Sequence, residues 1–571
     1  MKRAIALFFV GLLGCTQDVQ LGPPAPLTGL VALTVAPGML NIEITDLGAP
    51  PVTTDYVAIG EFSDGTSRDV TTLVSWRVDN PGPGNFVSGG RYQTSQRAAG
   101  HVKVNAIAGA IVGTSSLRVG VRTTIIDSTF PPPLGVESLF ATGVPIVVGD
   151  ASRSPVVVYP SDNTIFPQGL ARILFQHRGG QNNDAFRLTF ESDVLHLKVY
   201  TSADRWQPDG ATWFLIAASH LGSRTRFTVD GASTTTPGTI YASAATNLSF
   251  ARGDPGGAVT YWSAATKGVM RANLGALTAT PLYPTEGDTS CVGCHTISRD
   301  GTKMAGGYGG ETLQGVELPG LGTLISAPIE KIPMGWATYS PDGTMLLVAD
   351  KGVLTLRDAL TGLPIGPSGG RLDLLLKATH PDWSPDGSYI AVALSGDVSN
   401  MEIKAGAIAR IPFEEGVFGA PEILVPGSPT NNNFFPKWSP DGRFIAYVNA
   451  GSGSRTAASA DLRLIRSTGG PPIALQVANH RAGGLDDVPA LANTMPSWGP
   501  PTGDIAWLSF ASTRPYGGIM PNADRGQIWI TGLDLDREGD PSFAAFWLPS
   551  QDVRVLNNNP IWTVRPDAPT L

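Results

Sequence analysis

The chain reads as all-β: two β-sandwich domains followed by a β-propeller. Three observations carry this. Among 571 residues, 68 are Gly and 47 are Pro while only 15% are charged, a composition that suits many short strands joined by tight turns. The N-terminal part consists of short runs of alternating polarity bounded by turn residues. The C-terminal half repeats an aromatic-centred motif, with six copies of the aligned position. Charge and cysteine content narrow the function. A formal net charge of -8 argues against nucleic acid or an anionic membrane face as a partner, and three cysteines are too few for a disulfide framework.

Residues 1-14 have the form of a secretory leader, with Met1-Lys2-Arg3 ahead of the apolar run Ala4 to Leu13, which is too short to span a bilayer as a mature helix. Its end, Leu12-Leu13-Gly14-Cys15, resembles the bacterial lipobox, which implies cleavage before Cys15 and lipidation of that residue. Attachment to the membrane is then by the lipid anchor alone. With Thr16 after the cysteine, the resemblance to sorted lipoproteins implies the outer membrane of the cell envelope, without choosing its periplasmic or surface face. Residues 15-27 include Leu21-Gly-Pro-Pro-Ala-Pro26, a stiff, extended tether.

Residues 28-120 form the first expected sandwich. Its strands are Val31 to Val35, Asn41 to Thr45, Thr54 to Gly60, Val70 to Val78, His101 to Ala108 and Ser115 to Val119, separated by turns such as Ser63-Asp64-Gly65. The strings Gly60-Glu-Phe-Ser-Asp-Gly-Thr-Ser-Arg-Asp-Val-Thr71, Val74-Ser-Trp76 and Gly100-His-Val-Lys-Val-Asn-Ala106 resemble the bacterial immunoglobulin-like group 2 family. That resemblance implies a spacer or adhesive module with Trp76 as its core tryptophan. Residues 121-238 form the second sandwich, with strands expected at Pro155 to Pro160, Ala171 to Phe175, Phe186 to Phe190, Leu195 to Tyr200, Trp213 to Ile216 and Arg224 to Val229. His177, His196 and His220 are expected as exposed polar residues of this domain.

Residues 239-571 carry the repeat. Thr338-Tyr-Ser-Pro-Asp-Gly343, Asp382-Trp-Ser-Pro-Asp-Gly387 and Lys437-Trp-Ser-Pro-Asp-Gly442 are full copies. Thr296-Ile-Ser-Arg-Asp-Gly301, Ser497-Trp-Gly-Pro-Pro501 and Ile561-Trp-Thr563 are degenerate ones. Ser-Pro-Asp-Gly suits a type I turn, and the apolar runs that follow suit strands packed between neighbouring blades. These motifs resemble the TolB-type (WD40-like) propeller repeat, which implies four-stranded blades, usually six, hence a six-bladed β-propeller. The sixth copy has only one strand, so Ala258 to Ser263 and Gly268 to Arg271 are expected to complete its blade and close the ring. Gly366-Pro-Ser-Gly-Gly370 matches a nucleophile elbow only in letters, since no strand leads into it and no helix follows.

The strongest chemical signal is Cys291-Val292-Gly293-Cys294-His295. C-x-x-C-H is the attachment sequence of c-type haem, with two thiols bonding the porphyrin and the histidine ligating the iron. One covalent haem c on Cys291 and Cys294, with His295 as proximal ligand, is therefore expected. Three residues before each aligned position lie Cys294, Trp336, His380, Phe435, Met495 and Asn559, which should ring one mouth of the channel. His380 or Met495 is then the candidate distal ligand, with His380 preferred and Met334 a further candidate. Three functions follow: an electron-transfer protein whose redox partner is unknown, a scaffold binding an envelope protein or polymer, or a haem enzyme with an open iron site. The polar loops Asn431 to Asn433, Asp486-Asp487 and Asn557 to Asn559 are expected as solvated turns.

Overall fold

The structure, a computed structural model, describes residues 27–283, 292–308, 312–318, 323–325, 332–400, 402–455, 457, 459–480, 492–500, 502–521 and 525–563. The leader, Cys15 and Cys291 lie outside them. Among the described residues no helix is long and apolar enough to cross a membrane. The chain divides into two compact units, Met1–Val121 and Arg122–Leu571.

In the first unit Leu30–Ala36 pairs antiparallel with Val57–Phe62, which also pairs with Ser67–Asp69. Opposite them, Met39–Ile44 runs parallel to Ile111–Ile126, whose hairpin partner Gly100–Ala108 pairs with Ser75–Val78. The alternation in Gly100–Ala108 is strict, with Val102, Val104 and Ala106 buried. Trp76 is half-buried rather than central; it packs on Tyr56 and Phe86, and its indole N–H donates to Thr71 O at 3.0 Å.

The second unit opens with a sheet centred on Ala185–Glu191, between Leu195–Thr201 and Ser223–Ala232. Three expectations fail here, the first being the strand Ala171 to Phe175, since the strand starts only at Phe175 and runs Phe175–Arg178. Trp213 to Ile216 belongs to a helix, Gly210–Ala218: four adjacent apolar residues carry no period of their own, and Asp209 caps the helix by accepting the Thr212 N–H at 2.7 Å. The sheet also runs past the expected boundary at residue 238, because Thr246–Phe250 pairs with it. A core of Phe175, Phe190, Trp206, Trp213 and Phe227 fills the space beneath. This sandwich is welded to the propeller's last blade. Phe166 packs on Phe546, Tyr159 Oη accepts the Trp547 N–H, and Gln176 Oε1 accepts the Gly518 N–H.

Six sheets follow in a ring. Blade 1 is Asn557–Thr563, Ala258–Ser263, Gly268–Asn273 and Thr280–Tyr283; its innermost strand comes from the far end of the chain, as the repeat count required. Gly257, at φ +69, makes the join possible, since a Cβ there would meet Thr563 O. The other innermost strands are Val292–Ile297 (blade 2), Trp336–Tyr339 (blade 3), Lys377–Trp383 (blade 4), Asn432–Trp438 (blade 5) and Asn493–Trp498 (blade 6). Each touches the next, and blade 1 touches both 6 and 2. The core lies between blades: Trp383 packs back onto Leu347, Leu354 and Leu356 of blade 3, and Trp438 onto Ala391 and Ile408 of blade 4. In the turns, Ser340, Ser384 and Ser439 each accept the N–H of the glycine three residues on, and their hydroxyls accept a second N–H two residues later.

The histidines of the sandwich also depart from expectation. His177 and His220 are buried, and His196 is half-buried beside Glu191. His220 is a satisfied core residue, 2.7 Å from Ile216 O and 2.9 Å from Ser192 Oγ. His177 packs on Phe186 with Nε2 unpartnered, and burial pushes its pKa down to about 3. The unfolded chain therefore binds a proton that the native state rejects, so stability falls as pH drops from the ordinary histidine value towards 3. Urea denaturation at about pH 7.5 and about pH 5 should show a loss of about 2 kcal/mol attributable to His177, absent in His177→Phe.

Candidate functional site: the channel ring

Trp336, His380 and Phe435 are in mutual contact, and five of the six expected ring residues share one backbone device. Cys294, His380, Phe435, Met495 and Asn559 all have positive φ, between 46° and 53°. At each of the five, the ladder with the neighbouring strand slips by a residue. The cause is in the sequence: the next residue is Pro381, Pro436, Pro496 or Pro560 in four blades, and a proline cannot donate to the ladder. Blade 3, with Ala337 there, keeps a regular ladder. In blade 2 the proline position is held by His295.

Trp336, His380 and Phe435 form an aromatic arc: the His380 ring centroid lies 3.8 Å from that of Phe435 and 5.0 Å from that of Trp336. His380 is buried with Nδ1 unpartnered, and burial together with the nearby Lys437 charge keeps it neutral far below the ordinary histidine range. Met495, Asn559 and Cys294, on the inner strands of blades 6, 1 and 2, are all half-buried. Met334 is not part of the ring; it is fully buried between blades 2 and 3.

His295 is 2% exposed. Asn559 Nδ2 lies 3.2 Å from its Nδ1 and donates to its backbone O, also at 3.2 Å, so blade 1 holds the imidazole of blade 2. Its Nε2 is buried with no hydrogen-bond partner, and burial pushes its pKa down to about 3. A neutral, buried imidazole with an unspent nitrogen, directly after a half-buried thiol, fits a haem iron in kind. The Asn559 amide, however, leaves the ring proton on Nε2, whereas a metal-ligating histidine carries it on the other nitrogen. Iron ligation therefore requires that hydrogen bond to be reversed.

No protein-family model matches the chain, and no curated protein matches it. Solved structures do. TolB from Acinetobacter baumannii is 14% identical over 59% of this chain and 79% of its own, with a TM-score of 0.34. A protein of Agrobacterium tumefaciens assigned as TolB is 17% identical over 53% of this chain and 97% of its own, with a TM-score of 0.31. Dihydro-haem d1 dehydrogenase NirN, in complex with DHE, is 16% identical over 51% of this chain and 53% of its own, with a TM-score of 0.29.

Two features of the site escaped sequence reasoning. Asn433, Asn493 and Asn557 each precede an aligned tryptophan by five residues, in the pattern Asn-x-x-Pro-x-Trp, and none has any exposed surface. They are not solvated turns. Asn433 donates to Gly406 O and accepts from Asn449; Asn493 accepts from Ser512 and from the buried Arg514; Asn557 donates to Asp552 O. Asn432 is likewise buried and donates to Ile403 O. The fixed offset was the signal, visible once the blades are stacked on their tryptophans. Asp486 and Asp487 lie outside the described residues. Replacing Asn559 by Ala should cost about 1–3 kcal/mol in urea denaturation, because it strands the His295 carbonyl and Nδ1 together; an unchanged midpoint would show that the contact carries no load.

Proposed function

We propose that this chain is an exported, lipid-anchored protein of the cell envelope that carries one haem c on Cys291 and Cys294 at a propeller mouth and passes single electrons to a redox partner. The supporting observation is His295, whose unpartnered Nε2 lies buried one residue after the half-buried Cys294. When bound, the haem would supply a reversible one-electron couple. The chain's residues supply its setting. Asn559 orients His295, and the aromatic arc closes one side of the mouth against water. Met495 is assigned as distal ligand in preference to His380, because Met495 is half-buried while His380 is buried and stacked against Phe435.

A second reading, a scaffold that binds an envelope protein or polymer, has its own support. The Asn559–His295 contact occupies Nδ1, an arrangement that a scaffold role leaves undisturbed and that iron ligation would have to reverse.

Export of the full chain from a host with haem-attachment machinery separates the two. Haem ligation predicts one added haem in the intact mass and a Soret band, both lost in Cys294→Ser. An unshifted mass without a Soret band sinks that reading in favour of the scaffold. A low-spin spectrum that turns high-spin in Met495→Ala and not in His380→Ala is the expected mark of the distal assignment.

A further inference from the structure

The channel has a second chamber, at the turn ends of the inner strands rather than at the ring of Cys294. It is a cavity of about 330 Å³ bounded by residues of all six blades, among them Arg299, Asp382, Lys437 and Ser497. We propose that this chamber binds a small hydroxylated carboxylate, independently of any haem.

Charge decides the class. Asp382 is spent: Oδ1 pairs with Lys437 Nζ at 3.0 Å, and Oδ2 accepts the Trp438 N–H at 2.8 Å. Arg299 reaches from blade 2 to blade 4, where its guanidinium donates to Trp383 O at 2.6 Å, and among the described residues no carboxylate pairs with it. The chamber thus holds two cations against one anion. One surplus guanidinium, a planar fork of donors, matches a single carboxylate. A phosphate dianion would need a second uncommitted cation, and Lys437 is already paired.

The walls argue for hydroxyl groups on the ligand. Thr296, Thr338 and Ser497 bring three buried hydroxyls to the chamber. Ser497 Oγ already accepts the Trp562 N–H at 3.2 Å, which leaves its own proton to donate. The volume lies at the lower end of the range for small-molecule sites.

Titration calorimetry on the full chain, with D-gluconate and with sorbitol as its neutral counterpart, tests this. Gluconate should bind at least about tenfold more tightly than sorbitol, and Arg299→Gln should remove that advantage. Because Arg299→Gln also gives up the bond to Trp383 O, its sorbitol affinity, expected to stay at the parent's value, is the control for an intact chamber. Absence of gluconate binding, equal binding of sorbitol, or an Arg299→Gln variant that binds gluconate like the parent would each overturn the proposal. Since the measurement needs no haem, its failure leaves the electron-transfer reading untouched.

Discussion

The propeller rests on one antiparallel pairing, between Asn557–Thr563 and Ala258–Ser263. Every other blade is local in sequence, so its hairpins form without help from distant residues. A row of local blades still has two open ends, each presenting unpaired backbone groups and the bare side of a blade. The closing strand removes both. It pairs with Ala258–Ser263 on one side and sets Trp562 against blade 6, where the Trp562 N–H reaches Ser497. Only in the closed state do six residues three positions before the aligned site become a ring around a channel.

Within that ring, geometry follows from a missing hydrogen. Proline after the ring residue withholds one ladder donor, the strand bulges, and the preceding residue is driven to positive φ, a conformation costly for any side chain but glycine. The closed ring over-determines it, so the strain persists in five blades. Blade 2 adopts the same bulge with histidine in place of proline. Its side chain brings a buried imidazole to the proline position itself, whereas blade 4 carries its buried imidazole one position earlier, at His380.

Much of this was legible beforehand. The aligned tryptophans and Ser-Pro-Asp-Gly turns revealed the blades because each is a short-range pattern repeated, and the single strand of the last copy foretold the closure. What stayed hidden depended on tertiary burial. Alternation in a strand predicts a wet face only if that face meets water; His177 and His220 lie where sheet, helix and loops cover both sides. Trp213 to Ile216, four adjacent apolar residues, suits a buried strand as well as a helix, and the residue that decides for the helix, its cap Asp209, lies four positions upstream. The asparagines looked like turn residues because asparagine favours turns, yet at a fixed distance from a core tryptophan they act as struts between loop and strand. The aromatic character of part of the ring was written in the residue types, but the contacts between Trp336, His380 and Phe435 were not.

The contact between Asn559 and His295 joins residues 264 positions apart, and this gives the motif a place in time. Until the last strand is in place, His295 lacks its side-chain partner; once it is, the histidine is walled in on the side of blade 1. The setting of His295 is therefore fixed last, at the moment when the two ends of the blade array meet.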